Sequence, residues 1–315
     1  MRVVMNKLTD NKRAFLFQGV GADYRELLGM LEEGQLHALK EYCYTVNKEI
    51  GIDLLGYLFH SQHIECDRMF YDWITIYTCD YLVYQQYVDS GIKPAIMAGY
   101  SMGLITAMAC GKSISFADGL RMLQTIYEYP KGFAIPCSMG VIVGKTYNEV
   151  HDLIARGTSE HDVYMASENN DTCLVVSGIK ASVDRVLRLA EQEGAIKAST
   201  INAPYAFHSP YAAEGIDRFV HLVEEISICD GDIPILSVFS QTAIQSASDL
   251  KNELIKNMSN PMNWNASILS LGQWGIESFV EVSLEDSLTK ISRLINLDAE
   301  FLTYKKFMRL KMPSK

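Results

Sequence analysis

The chain is predicted to be an α/β protein in which a parallel sheet is interrupted by a small inserted subdomain. Three observations predict it. Short apolar runs alternate with helix-period stretches along the 315 residues, the pattern of strands covered by crossover helices. The segment 94–109, P-A-I-M-A-G-Y-S-M-G-L-I-T-A-M-A, reads as strand, sharp turn and helix, with Ser101 at the apex. Residues 133–201 then run strand, helix, strand, strand, helix, strand, which is the ferredoxin-like order and short enough to be an insert. The boundaries follow as 1–131 and 202–315 for the core and 132–201 for the insert.

Taken in order, 13–18 (R-A-F-L-F-Q) is a buried strand that ends in the flexible Gln18-Gly19-Val20-Gly21. The carboxyl ends of parallel strands are where ligands gather in open sheets. Residues 24–49 are helical with a break at Glu33-Gly34, and 70–88 form a long helix whose aromatic residues read as core and groove packing. The second strand follows Gly91 and Pro94. Ser115 is the expected N-cap of a helix that runs to about Glu128 and stops at Tyr129-Pro130. Inside the insert, strands are expected at 133–143, 163–166, 173–176 and 196–201, and helices at 148–156 and 181–193. Beyond it come a helix over 212–225, a strand over 233–239, helices near 248–258 and 262–271, a strand over 278–282 and a last helix from Ser287. The basic run from Tyr304 to the end reads as a solvated tail.

A net charge of −10 and a pI near 5.2 argue against a nucleic-acid or anionic-membrane surface. Seven cysteines without a C-x-x-C pair suit reduced, buried thiols and a cytoplasmic setting. The N-terminal stretch lacks the apolar core of a signal peptide, and no run of about 18 apolar residues could span a bilayer.

The chemistry centres on Gly99-Tyr100-Ser101-Met102-Gly103, a G-x-S-x-G nucleophile elbow. Flanking glycines permit the tight turn, and the helix that starts there offers backbone N–H groups to a developing oxyanion. Serine needs a base. Of the seven histidines, His151 and His161 lie in the insert, His37 and His221 sit in helices, and His60 and His63 flank a polar loop. His208 lies in the proline-bracketed turn Pro204-Tyr205-Ala206-Phe207-His208-Ser209-Pro210, directly after the chain leaves the insert, and is the candidate base. No H-E-x-x-H or Cys/His pair at ligand spacing suggests a metal, and Gln18-Gly19-Val20-Gly21 is neither a P-loop nor a dinucleotide fingerprint.

Six ordered motifs, F-L-F-Q-G, G-Y-S-M-G, F-A-D-G-L-R-M-L, N-N-D-T-C-L-V-V-S-G, A-F-H-S-P and N-P-M-N-W, make the chain resemble malonyl-CoA:acyl carrier protein transacylases and polyketide synthase acyltransferases. The resemblance implies an α/β-hydrolase-like parallel-sheet core with a ferredoxin-like insert. It implies Ser101 as acyl-accepting nucleophile, His208 as base, backbone N–H groups of Gln18 and Met102 as oxyanion hole, and the main-chain carbonyl of Asn263 as the group that orients His208. Asn169 falls near the cleft, and Tyr100, Tyr205 and Phe207 stand at substrate-facing motif positions. No bound cofactor is implied; phosphopantetheine of a carrier protein, or CoA, arrives as part of the substrate. The implied partner is an acyl carrier protein, with no nucleic acid and no membrane, and the chain is expected to be a monomer.

The departures bear on specificity. Where malonyl-selective members carry an arginine for the free carboxylate, this chain has Ile126, with Gln124, Thr125 and Tyr127 beside it. Arg121 corresponds to a different position and should point elsewhere. Tyr100, Leu104, Leu16 and Phe17 also replace the usual residues around the elbow and the first strand. The resemblance extends to a stand-alone branch that lacks this arginine and hydrolyses acyl groups from carrier proteins. Three functions are therefore expected in this order: an acyl-carrier-protein thioester hydrolase with a proofreading role in polyketide biosynthesis, a trans-acting transacylase for a monocarboxylic or malonyl unit, and an inactive carrier-protein-docking scaffold.

Overall fold

The computed structural model describes residues 12–21, 23–59, 67–131, 133–295 and 298–311; His60, His63, Cys66 and the N-terminal stretch fall outside them. β1 (Arg13–Phe17) is buried along its whole length, as a strand covered on both faces must be. It pairs in parallel with β2 (Ile96–Gly99) on one side and with β10 (Ser278–Val282) on the other. β7 (Ile235–Leu236) continues in parallel beside β2, and β11 (Glu300–Leu302) beside β10. β8 (Ala243–Ile244) closes the edge antiparallel to β7, giving the order β11-β10-β1-β2-β7-β8.

Alternation along these strands sorts side chains to two faces. Phe15, Phe17, Met97, Val280 and Val282 enter the larger core with α1 (Glu33–Ile50), α3 (Arg68–Asp89), α4 (Gly103–Cys110) and α5 (Phe116–Glu128), α2 (Leu54–Phe59) packing on α1. Ala14, Leu16, Ala98, Leu236 and Phe279 pack on the other face with Trp264, Ile268 and Leu271. This is a three-layer α/β sandwich.

The insert folds as β3 (Cys137–Val143), α6 (Tyr147–Gly157), β4 (Val163–Asn170), β5 (Cys173–Ile179), α7 (Lys180–Gln192) and β6 (Lys197–Ile201). Its sheet order is β6-β3-β5-β4, extended by β9 (Met262–Asn263), which joins β4 in parallel from the main body. One face carries its own core of Ile142, Val150, Leu174, Val176, Val183 and Leu187. From the other face Met139 and Val175 join the main core.

Several boundaries differ from expectation. The strand expected from 133 begins at Cys137, and 233–239 contributes two paired residues. The helix expected over 212–225 is a 3₁₀ turn, then Gly215 at φ 69°, then α8 (Asp217–Glu225). The stretch 262–271 opens as β9 before α10 (Trp264–Gln273). Two more helices, α9 (Ala247–Ser259) and α11 (Ser287–Ser292), flank these elements. The tail is not free: α12 (Tyr304–Lys311) buries Tyr304, Phe307 and Met308, an amphipathic stripe that its lysines concealed in the sequence.

Candidate active site

β2 turns into α4 within Tyr100, Ser101 and Met102, and Ser101 sits at φ 53° in the left-handed region that non-glycine residues seldom occupy. The turn is held tightly against β1, since Tyr100 N–H donates to Phe17 O at 2.8 Å. The two motif glycines are required by close approach. A Cβ on Gly99 would lie 2.3 Å from Leu104 N, and one on Gly103 would lie 2.1 Å from Phe17 O. Met102 N–H belongs to the first turn of α4, where no intrahelical acceptor exists.

Ser101 Oγ stands 2.8 Å from His208 Nε2. His208 Nδ1 faces Asn260 O at 3.3 Å; a carbonyl only accepts, so Nδ1 carries the proton and Nε2 accepts from the serine hydroxyl. The histidine is 2% exposed, and this burial lowers its pKa to about 4, the Asn260 carbonyl opposing the shift. At neutral pH it is an uncharged base. His208 itself lies at φ 58°, and its backbone N–H is tied to Met258 O at 2.8 Å.

The orienting carbonyl is therefore that of Asn260, not Asn263. Asn263 O instead accepts from Ser267 Oγ (2.8 Å) and Gln241 Nε2 (3.3 Å), and its side chain caps α10 through Ala266 N–H at 2.7 Å. The physical reason lies in Asn260-Pro261: the residue before proline is pushed to extended backbone, here φ −91° and ψ 142°, so α9 ends there and turns a free carbonyl toward the histidine. The negative end of the helix dipole would favour a protonated imidazole at this position. The same turn supplies Asn257, whose Nδ2 donates to Ser101 O at 2.9 Å.

A cavity of about 420 Å³ opens on this pair. Gln18, Tyr100, Ser101, Met102, Ile126, Asn169, Phe207 and His208 all line it, so eight of the ten residues singled out in the sequence share one site. Besides Asn263, the exception is Tyr205: it is buried but packs edge-on against Phe133 at 4.8 Å, away from the cavity. Gln18 is 5% exposed, and its side-chain amide donates to Tyr24 OH, which also meets Asp80 Oδ1 and Ser283 Oγ at 2.7 Å each. Tyr100 OH donates to Asn169 Oδ1 at 2.8 Å, and burial pushes this phenol up to about 12, so it remains a neutral donor.

The rest of the lining is largely apolar and was not singled out in the sequence: Trp73 from α3, Met139 and Val175 from the insert, and Leu288 from α11. Trp73 looked like core packing because its helix is apolar on several sides. Among the described residues no arginine lines the cavity. The lining ammonium among the described residues, Lys197, is exposed at the start of edge strand β6, and Glu285 contributes the opposite charge. Arg121 points away, pairing with Glu49 at 2.5 Å and Asp118 at 3.0 Å. Among the described residues no cluster of three or more His, Cys, Asp or Glu could hold a metal ion, and no helix is long and apolar enough to cross a membrane.

Comparison with known proteins places this geometry. The family described as "Acyl transferase domain" matches residues 81–293. The malonyl CoA-acyl carrier protein transacylase of Bacillus subtilis (strain 168) is 25% identical over 292 residues, covering 91% of each chain. The polyketide biosynthesis protein PksE of the same organism is 25% identical over 296 residues, 92% of this chain and 37% of PksE. Among solved structures, the malonyl CoA-acyl carrier protein transacylase of Coxiella burnetii superposes with a TM-score of 0.84 at 23% identity, covering 96% of both chains. A type II polyketide malonyl-transacylase in complex with its acyl-carrier protein gives 0.82 at 18% identity, covering 93% of this chain and 95% of that one. The matched family spans more than half of the sequence, and the chain belongs to the acyl transferase domain family of enzymes.

Proposed function

We propose that this acyltransferase-family enzyme takes an uncharged acyl group from a phosphopantetheine thioester onto Ser101 and releases it to water, acting on acyl carrier proteins as a hydrolase that removes non-malonyl groups. The observation that carries the choice of acyl group is Ile126 in a largely apolar cavity that no arginine lines among the described residues. A malonyl carboxylate desolvated there would lack a partner, at a cost of several kcal/mol. An uncharged chain meets no such penalty.

The chemistry follows from the proton positions. Ser101 Oγ attacks the thioester carbonyl while His208 Nε2 takes the hydroxyl proton; the C–S bond breaks and the proton passes to the leaving thiol. Asn260 O holds the imidazolium in register. Backbone N–H groups of Gln18 and Met102 would bind the oxyanion, each donor worth about 3 kcal/mol in comparable sites. Water, deprotonated by His208, then attacks the acyl-serine and restores the hydroxyl.

A second reading, transfer of the acyl group to the thiol of another carrier protein, is favoured by the names of the transacylase relatives. The two differ only in the final acceptor. Butyryl-loaded carrier protein is incubated with the enzyme, with and without a fresh carrier protein, and products are followed by mass. Butyrate released without acceptor is the expected result; label that appears only on the added carrier protein would establish transfer and sink the hydrolase.

A further inference from the structure

We propose that Trp73 sets the length of acyl chain the enzyme accepts, making it selective for short uncharged acyl groups; this rests on the acyl-enzyme reading above. Trp73 projects from the second turn of α3 into the wall of the cavity, yet only 3% of it is exposed, so the indole is a wall backed by protein rather than a movable flap. Its ring packs edge-on against Tyr127 at 5.2 Å and lies 6.3 Å from Phe207, the neighbour of the base. Tyr127 cannot retreat, because it stacks on Phe70 at 4.9 Å and its hydroxyl donates to Asp67 Oδ1 at 2.6 Å. Ile126, next to Tyr127 on α5, lines the same cavity. An acyl chain that extends past Ile126 meets a large, well-supported aromatic surface. Close-packed interiors do not yield to extra methylenes without loss.

An apolar pocket discriminates by about 10–200-fold for each methylene that does not fit. The test measures kcat and KM for acetyl, butyryl, hexanoyl and octanoyl thioesters with the wild-type enzyme, Trp73→Ala and Trp73→Phe. Wild type should lose about 100-fold or more in kcat/KM between butyryl and octanoyl. Trp73→Ala should recover octanoyl relative to butyryl by at least about tenfold, and Trp73→Phe, which keeps a ring against Tyr127, by less. Octanoyl turnover by wild type equal to butyryl overturns the proposal without any variant, which guards against an alanine variant that fails to fold. Unchanged length profiles in folded variants also overturn it. The two readings fail separately: uniform acylation at all lengths defeats only the length limit, whereas no acyl-Ser101 from any chain defeats the acyl-enzyme reading and this one together.

Discussion

His208 lies between a hydroxyl and the end of a helix, and its burial decides how it titrates. With its pKa lowered to about 4 from 6.5, the acid limb of kcat/KM should fall near pH 4, where an exposed histidine would give one near 6.5. An acid limb at 6.5 would show that the base is solvated in the working enzyme. The same shift has a stability consequence: the unfolded chain binds this proton at higher pH than the native one, so folded stability drops as pH falls from 6.5 toward 4 and is unaffected above. Ile126 is the second decisive residue. Ile126→Arg should raise malonyl acceptance relative to butyryl by about tenfold or more through a charge-assisted pair, read from competing kcat/KM values. An unchanged ratio would mean that position 126 does not face the acyl group.

At the scale of elements, the elbow is set by backbone contacts more than by the serine. Gly103→Ala would drive a methyl into Phe17 O, and thermal or denaturant unfolding should show a loss of about 1–3 kcal/mol or more. A neutral substitution would mean that β1 and α4 are not packed this closely. The elbow was legible in the sequence because its constraint is local: glycines at 99 and 103 and a strand-to-helix switch occupy adjacent positions. The carbonyl that orients His208 was not. Asn260 and Asn263 both stand in N-P-M-N-W, and only the course of the chain after Pro261 shows that α9 ends facing the histidine while Asn263 turns to cap α10. Trp73 stayed hidden for a related reason, since a residue lining an apolar stretch of cavity wall and one filling a core have the same apolar character. The tail failed as an expectation because the three buried residues of α12 share its eight positions with four basic ones, Lys305, Lys306, Arg309 and Lys311.

At the scale of the molecule, the site exists because two sheets meet. The carboxyl ends of β1 and β2 bring Gln18 and Ser101, the insert's inner face brings Met139 and Val175, and the return segment brings His208. The alternation of strands and helices made both sheets foreseeable, but not β9, the two-residue strand by which the main body extends the insert's sheet. Three buried carboxyls lie in the described main body, Asp80, Glu253 and Glu281, all with raised pKa values. Glu253 and Glu281 are each pushed up to about 7 by burial, although both accept backbone N–H groups. Native protein therefore holds their protons to higher pH than the unfolded chain, so their contribution to stability is full below 4.5 and is lost as pH rises through 7. Glu281→Gln, neutral at every pH, should flatten that decline in denaturant midpoints measured from pH 5 to 8; an unaltered slope would place the charge elsewhere.

The central claim is that Ser101 accepts uncharged acyl groups in preference to malonyl. Intact-protein mass spectrometry, after brief mixing with butyryl- or malonyl-loaded carrier protein, measures it directly. The predicted result is a butyryl adduct on the wild-type enzyme, its absence in Ser101→Ala, and little malonyl adduct. A malonyl adduct that forms on Ser101 as fast as the butyryl one would contradict it.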